Sequence, residues 1–166
     1  MKFYLVDRIL ELEPPKRIVA VKNLSLAEEY LADHFPAYPV LPGVMMLEAL
    51  VQAAAWLVRA STGFEKNLIM LREAVNVRYG SFVRPGGQLV MEVVATEIGP
   101  EMSRFKATGQ CDGQPALQAK LTLEHMNVAD RDPTRTDIDA LLRPYWQERF
   151  RLIGGPAALA AAGKPA

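Results

Sequence analysis

The stretch "DHFPAYPVLPGVMMLEALVQAAAWLV", Asp33 to Val58, decides the fold. It carries a histidine, His34, at its second position, passes Pro36, Pro39 and Pro42, and then runs almost wholly apolar with one carboxylate, Glu48, inside that run. The prolines fix φ and remove backbone donors, so regular helix is excluded before Pro42, and Pro42 itself suits the first turn of a helix. From about Gly43 to Ala60 apolar side chains occupy nearly every side, which marks a helix surrounded by protein. Gln52 at i+4, Ala55 at i+7 and Arg59 at i+11 share the face of Glu48.

Both flanks of this helix read as strand. Residues 3–13 and 17–23 form two strands joined by the turn "EPPK". Ser25 is placed to cap a short helix, "LAEEYLAD", with Glu28 at the capping-box position. The loop "STGFEKN" ends the long helix, and everything from Leu68 to about Met126 is predicted as strand. In "RFKATGQC" Phe105, Ala107, Gly109 and Cys111 alternate with polar neighbours, and in "LQAKLTLEH" Leu117, Ala119, Leu121 and Leu123 do the same. Such alternation means a sheet covered on one face and wet on the other. Turn signals at "RPGG", "IGPE" and "CDGQP" make these strands antiparallel neighbours. The expected class is α+β: an antiparallel sheet wrapped around one long buried central helix. Residues 1–128 form this domain. Residues 129–166 form a C-terminal extension, partly helical, in which "IDALLRPYWQERFRLI" is a helix broken by Pro144 and "GGPAALAAAGKPA" a frayed end.

The chain has 166 residues, 50% of them apolar, enough for one domain with a sizeable core. Lys+Arg and Asp+Glu both number 19, so no broad field favours nucleic acid or an anionic membrane. With one cysteine and two histidines, neither an intramolecular disulfide nor a convincing tetrahedral zinc set is available, and no metal or cofactor is expected. Cys111 reads as a buried, inert thiol. Asp7 and Arg8 come too early for a secretory signal. The longest apolar run, Val44–Val58, is broken by Glu48 and Gln52 and is shorter than a membrane span, so no membrane span is expected and a cytoplasmic location is the default.

Ionisable groups are seldom buried unless paired or functional. Glu48 within a hydrocarbon helix fits either a subunit contact satisfied by Gln52 or a proton donor. His34 fits either a packed side chain or a base. Gly43 begins the helix, where unpaired N–H groups and the positive end of the dipole gather, and its missing side chain lets a substrate oxygen approach. A base, an acid and an electrophilic cradle together suit proton abstraction beside a carbonyl.

The pattern H-F-P-x-x-P-V-x-P-G-V-x-x-x-E-A-x-x-Q is met by His34, Phe35, Pro36, Pro39, Val40, Pro42, Gly43, Val44, Glu48, Ala49 and Gln52. It resembles the active-site segment of the hot-dog-fold β-hydroxyacyl-acyl-carrier-protein dehydratases of the FabZ type. "YLVDRILELEPPKRIVAVKNLS" is similar to the family's first hairpin and "VRPGGQLVMEV" to its later turn and strand, so the likeness covers roughly residues 3 to 127. Two positions depart from it: Asp33 stands where the family usually has Gly, and Gly87 where it usually has Asp.

The resemblance implies a hot-dog fold and dehydration of a (3R)-hydroxyacyl thioester to the trans-2-enoyl product. His34 would remove the C2 proton, the Gly43 N–H would polarise the thioester carbonyl, and Glu48, positioned by Gln52, would protonate the leaving hydroxyl. Burial would raise the Glu48 pKa and keep its proton available. The resemblance further implies an acyl-carrier-protein substrate and a homodimer with shared active sites, or a trimer of such dimers. Phe82 and Val83 fall where the family places tunnel-mouth residues, and core packing suits them equally. Met45, Met46, Met70 and Met91 read as gap-filling core, with acyl-tunnel lining the alternative for some of them; His125 reads as structural; and Arg59, Lys66, Arg72, Arg78 and Arg84 read as scattered surface cations, with contact to an acidic carrier protein the alternative. Two other readings stay open: a thioesterase on the same fold, and a non-catalytic partner subunit that binds acyl carriers.

Overall fold

The computed structural model describes residues 3–34 and 37–163. Phe35 and Pro36, two positions of the H-F-P motif, lie outside the described residues.

Six strands form one antiparallel sheet: β1 (Arg8–Glu13), β2 (Arg17–Asn23), β3 (Leu68–Tyr79), β4 (Gln88–Ile98), β5 (Met102–Cys111) and β6 (Gln114–Met126). Their spatial order is β1-β2-β4-β5-β6-β3. Sequence order misleads at one place. The "RPGG" turn suggests that β3 and β4 are neighbours, yet β3 pairs with β6 at the far edge, and β4 is bordered by β2 and β5. The β5–β6 connection behaves as its residues dictate: Asp112 and Gly113 both take positive φ, 51° and 73°, the requirement of the tightest hairpin turn.

The central helix α1 runs Gly43–Ser61 against the concave face of this sheet. Ala49, Ala53 and Ala54 are fully buried, and their small side chains let the helix lie close to the strands, while Leu50, Leu57 and Val58 fill the space between. Each such leucine is worth about 2–5 kcal/mol against truncation to alanine. Phe105, Ala107 and Cys111 on β5 and Leu117, Ala119, Leu121 and Leu123 on β6 face the helix, as their alternation predicts. Gly109 belongs to the same face, and a Cβ there would sit 2.4 Å from Leu117 Cδ2. This is the hot-dog arrangement.

Three expectations need correction. At 19 residues α1 is long and apolar enough to cross a membrane, contrary to the reading from its shorter apolar run, but 61% of the qualifying window is buried inside the protein. The helix expected over "LAEEYLAD" shrinks to a 3-10 turn, Glu29–Leu31. Ser25 Oγ accepts from the Ala27 N–H at 3.1 Å, and Glu28 binds Lys22 at 2.6 Å instead of closing a capping box. Among the methionines, Met46 and Met91 are core, whereas Met70 is 39% exposed.

The C-terminal extension is helical and docked. Asn127 caps the short helix α2 (Val128–Arg131), and α3 (Thr136–Leu152) runs unbroken through Pro144. Pro144 and Ala140, whose carbonyl loses its helical partner, both lie on the exposed side of the helix. Phe150 packs 5.9 Å from the Trp56 ring and 5.4 Å from Phe64, holding the helix to the body. The segment expected to fray forms α4 (Gly155–Ala162), which lies on β1 with Gly155 and Ala158 buried.

Candidate active site

His34 sits where the 3-10 turn gives out, and its N–H donates to the Tyr30 carbonyl at 3.2 Å. Buried Leu31 anchors this loop, as does Lys22, 5% exposed, which reaches Glu28 at 2.6 Å and Asp7 at 3.4 Å. Burial, reinforced by the charge of Glu28, holds the Tyr30 phenol well above its ordinary range. The segment 37–42 is tied to residues 81–84: the Leu41 N–H donates to Val83 O at 2.9 Å, Tyr38 meets Phe82 edge to face at 6.1 Å, and the Arg84 guanidinium lies 4.8 Å over the Tyr38 ring. Phe82 is 60% exposed and Val83 fully buried, so the adjacent pair splits into one surface ring and one core side chain.

Pro42 caps α1, its carbonyl accepting the N–H groups of Met45 and Met46 at 2.9 and 3.0 Å. Gly43 is the first helical residue, and its N–H has no acceptor within the helix. A Cβ on Gly43 would stand 3.0 Å from Tyr79 Cε1, so the glycine admits the Tyr79 ring against the helix tip. Tyr79 ends β3 and was not singled out from sequence; only the register of a strand from the opposite edge brings it here.

Further along α1 the Glu48 carboxylate is on the outer surface of the single chain, not in hydrocarbon. Its expected burial is therefore not supplied by its own chain. Gln52 is held from three directions: its Oε1 accepts the Leu5 N–H at 2.9 Å, and its Nε2 donates to Phe3 O at 3.0 Å and to Glu48 Oε1 at 2.9 Å. The N-terminal segment thus fixes the amide, and the amide holds the carboxylate.

Glu48 and Gln52 open onto a cavity of about 220 Å³ that continues past Ala55 to Arg59, roofed by Ile69 of β3 and Trp146 of α3. The four α1 positions are the face counted from the sequence. Among the described residues this lining includes neither His34 nor Gly43, so one chain does not gather all the predicted site residues around one space. Arg59, read from sequence as a surface cation, is 5% exposed and lies 5.2 Å from the Trp56 ring and 4.0 Å from the Trp146 ring. No spacing in the sequence links Arg59 to Trp146; the docking of α3 does. Among the described residues no group of three or more His, Cys, Asp or Glu side chains is placed to hold a metal ion.

The FabA-like domain family matches residues 1–120, which include the whole of this helix and the loop before it. The chain belongs to that family. It is 42% identical to the 3-hydroxyacyl-[acyl-carrier-protein] dehydratase FabZ of Aromatoleum aromaticum, over 72% of this chain and 85% of the relative. It is 38% identical to the dehydratase of the same name from Bacillus pumilus, over 72% of this chain and 83% of that one. Among solved structures, the dehydratase heterocomplex ApeI:P from Xenorhabdus doucetiae superposes with a TM-score of 0.64 at 16% identity, covering 76% of this chain and 85% of that one. A mutant thioesterase, PA1618 from Pseudomonas aeruginosa, superposes with a TM-score of 0.57 at 15% identity, covering 72% and 80%. At those identities the structural likeness establishes the hot-dog fold alone, which dehydratases and thioesterases share.

Proposed function

We infer that this chain is a 3-hydroxyacyl-[acyl-carrier-protein] dehydratase, a hydro-lyase of fatty-acid or related lipid synthesis. The observation that carries the reading is identity near 40% to dehydratases across most of the chain, with the His34–Gly43–Glu48–Gln52 spacing intact. The thioesterase alternative draws only on the fold.

In the proposed reaction the His34 imidazole takes a proton from C2 of the hydroxyacyl thioester. The helix-tip N–H of Gly43 receives the thioester oxygen, where negative charge develops. The C2–H electron pair forms the C2–C3 double bond as the C3–O bond breaks, and Glu48 gives its proton to the departing hydroxyl, which leaves as water. Gln52 positions Glu48 and does not touch the reacting atoms. The products are the trans-2-enoyl thioester and water, and no metal or redox partner enters the balance.

The geometry supports a site shared between two protomers of a homodimer. Glu48 lies on the exterior of its own chain, and the cavity beside it lacks His34, so a second copy would bring the base to the acid. The surface that would receive it is the free edge of β3, where Met70, Leu71, Val75 and Tyr79 are 39%, 39%, 40% and 51% exposed. An exposed apolar edge strand calls for a cover. Trimerisation of such dimers, a cytoplasmic location and delivery of the substrate on acyl carrier protein belong to the same reading.

The deciding experiment is hydration of a crotonyl thioester by the purified chain and by His34→Ala. The wild type should turn over alone, and the variant should stay folded and lose activity by about 10³-fold or more. Equal turnover by the variant removes His34 from the mechanism. Release of free thiol in place of hydration installs the thioesterase instead.

A further inference from the structure

The hydrogen bonds around Glu48 do not stop at Gln52. Among the described residues the Glu48 carboxylate receives one hydrogen bond, from Gln52 Nε2 at 2.9 Å. That bond depends on which way the amide faces. The Leu5 N–H can only donate, so the Gln52 oxygen faces it, and the nitrogen is left to meet the Phe3 carbonyl and Glu48. With the amide reversed, its oxygen would point at the carboxylate and repel it. The backbone of residues 3–5 therefore decides whether the proposed acid is held.

Those residues precede β1, and the C-terminal extension grips them. The Tyr4 hydroxyl lies 2.5 Å from that of Tyr145 on α3, and the Arg149 guanidinium, one turn further along α3, lies 4.0 Å over the Tyr4 ring. Tyr145 and Arg149 stand four positions apart and share one face of the helix, so both reach the same ring. The seat of α3 does not rest on Tyr4. Trp146 meets Trp56 of α1 edge to face at 5.8 Å, Phe150 lies 5.9 Å from the same ring, and the Ile153 carbonyl accepts the Ile9 N–H at 2.8 Å. Both gripping residues lie beyond the family match at residues 1–120, so the grip is added to the shared domain from outside it.

We propose that Tyr145 and Arg149 are positioning residues for the dehydration: by holding Tyr4 they fix the backbone of residues 3–5, which orients the Gln52 amide, which aims the Glu48 carboxyl. The proposal rests on the dehydratase reading and deepens it by giving the extension a part in that site. Neither residue touches the reacting atoms. Glu48 is a long, flexible side chain, exposed on its own chain, and it delivers its proton well only when held in the reactive geometry. Loss of that alignment lowers the rate of the chemical step rather than substrate binding. Tyr4 and Tyr145 are each 37% exposed, so breaking the bond between them leaves no buried polar group unsatisfied. Such a contact adds little to stability, and its use lies in orientation.

The test measures kcat and KM for hydration of a crotonyl thioester by the full chain, and hydrogen exchange of the Leu5 amide by NMR, which needs no turnover. Tyr145→Phe removes only the hydroxyl. It should cut kcat about three- to tenfold, leave KM and the denaturation midpoint near their wild-type values, and speed Leu5 exchange several-fold. Tyr4→Phe breaks the same bond from the other side and should reproduce these effects, so the result does not hang on the folding of one variant. Arg149→Met should lower kcat about two- to fivefold, and Arg149→Lys, which keeps a cation over the ring, should recover part of the loss. The deciding readout pairs Tyr145→Phe with Gln52→Leu. Without the amide the relay is already cut, so adding Tyr145→Phe to Gln52→Leu should change kcat by less than about twofold. Full multiplication of the two losses would make Tyr145 a structural residue only and overturn the proposal, as would an unchanged kcat or unchanged Leu5 exchange in Tyr145→Phe. Absence of turnover in the wild type sinks the dehydratase reading, and this proposal with it. Wild-type turnover with an indifferent Tyr145→Phe sinks this proposal alone.

Discussion

Gln52 stands one turn beyond Glu48 and donates to its Oε1 at 2.9 Å, while the same amide accepts the Leu5 N–H at 2.9 Å and donates to Phe3 O at 3.0 Å. Every polar atom of this side chain is committed, so the glutamine couples the N-terminal segment to the proposed acid. The arrangement separates holding a proton donor from being one.

Gln52→Leu therefore has two expected effects. Leaving the Leu5 N–H and Phe3 carbonyl unpaired should lower stability by about 1–3 kcal/mol, read by chemical denaturation. Freeing the carboxylate should cut kcat by about 10–100-fold with KM near the wild-type value, because orientation matters most in the transition state. A kcat within twofold of wild type would remove Gln52 from the positioning role.

Gly43→Ala probes the helix tip. The added Cβ would stand 3.0 Å from Tyr79 Cε1, so the ring must shift, although no positive φ forbids alanine there. Activity should fall by about tenfold or more in a folded protein, since displaced atoms beside the proposed oxyanion site disturb its alignment. Adding Tyr79→Ala should restore part of the loss, because the two substitutions share one contact. Strict additivity in that cycle would place the damage elsewhere.

The features legible in the sequence are the local ones. Alternation in β5 and β6 and the all-round apolarity of α1 are periodicities that any observer can count, and the motif from His34 to Gln52 is contiguous. Glu48, Gln52, Ala55 and Arg59 were placed on one face by the 3.6-residue period, and that face lines the cavity. The rest is set by distant partners. The seat of β3 beside β6 arises from packing that no turn signal encodes, and with it come the Tyr79–Gly43 contact and the free apolar edge. Arg59 looked like a surface cation because Trp146, 87 positions later, is the residue that buries it. Pro144 looked like a helix break because its exposure to water, not its φ, decides the cost of the lost hydrogen bond.

The edge of β3 makes a prediction about assembly. Leu71 and Val75 present apolar surface on an edge strand paired on one side only, and a charge placed there in a symmetric dimer faces its own copy or loses its water. Val75→Lys should shift the protein from dimer to monomer in sedimentation velocity, and hydratase activity should fall in step, since each site would then lack one of its two halves. A monomeric variant with full activity would end the shared-site reading, and an unshifted dimer would place the interface on another surface.

His125 gives the stability a pH dependence whose sign can be worked out. Its side chain is 2% exposed, and neither ring nitrogen has a partner among the described residues. Burial first, and then the positive charges of Lys66 and Arg59, pull its pKa down from 6.5 to about 4. The unfolded chain therefore takes up a proton through pH 6.5 while the folded chain stays neutral until about pH 4. Stability from this group is fully present above pH 6.5 and is lost progressively as the pH falls towards 4. Denaturation midpoints of the wild type should decline across that window, and His125→Phe, which keeps an aromatic ring in the site, should show a shallower decline while other titrating groups contribute equally to both. Parallel curves for the two proteins would mean that the imidazole is protonated in the folded state and that its burial is relieved by a rearrangement on acidification.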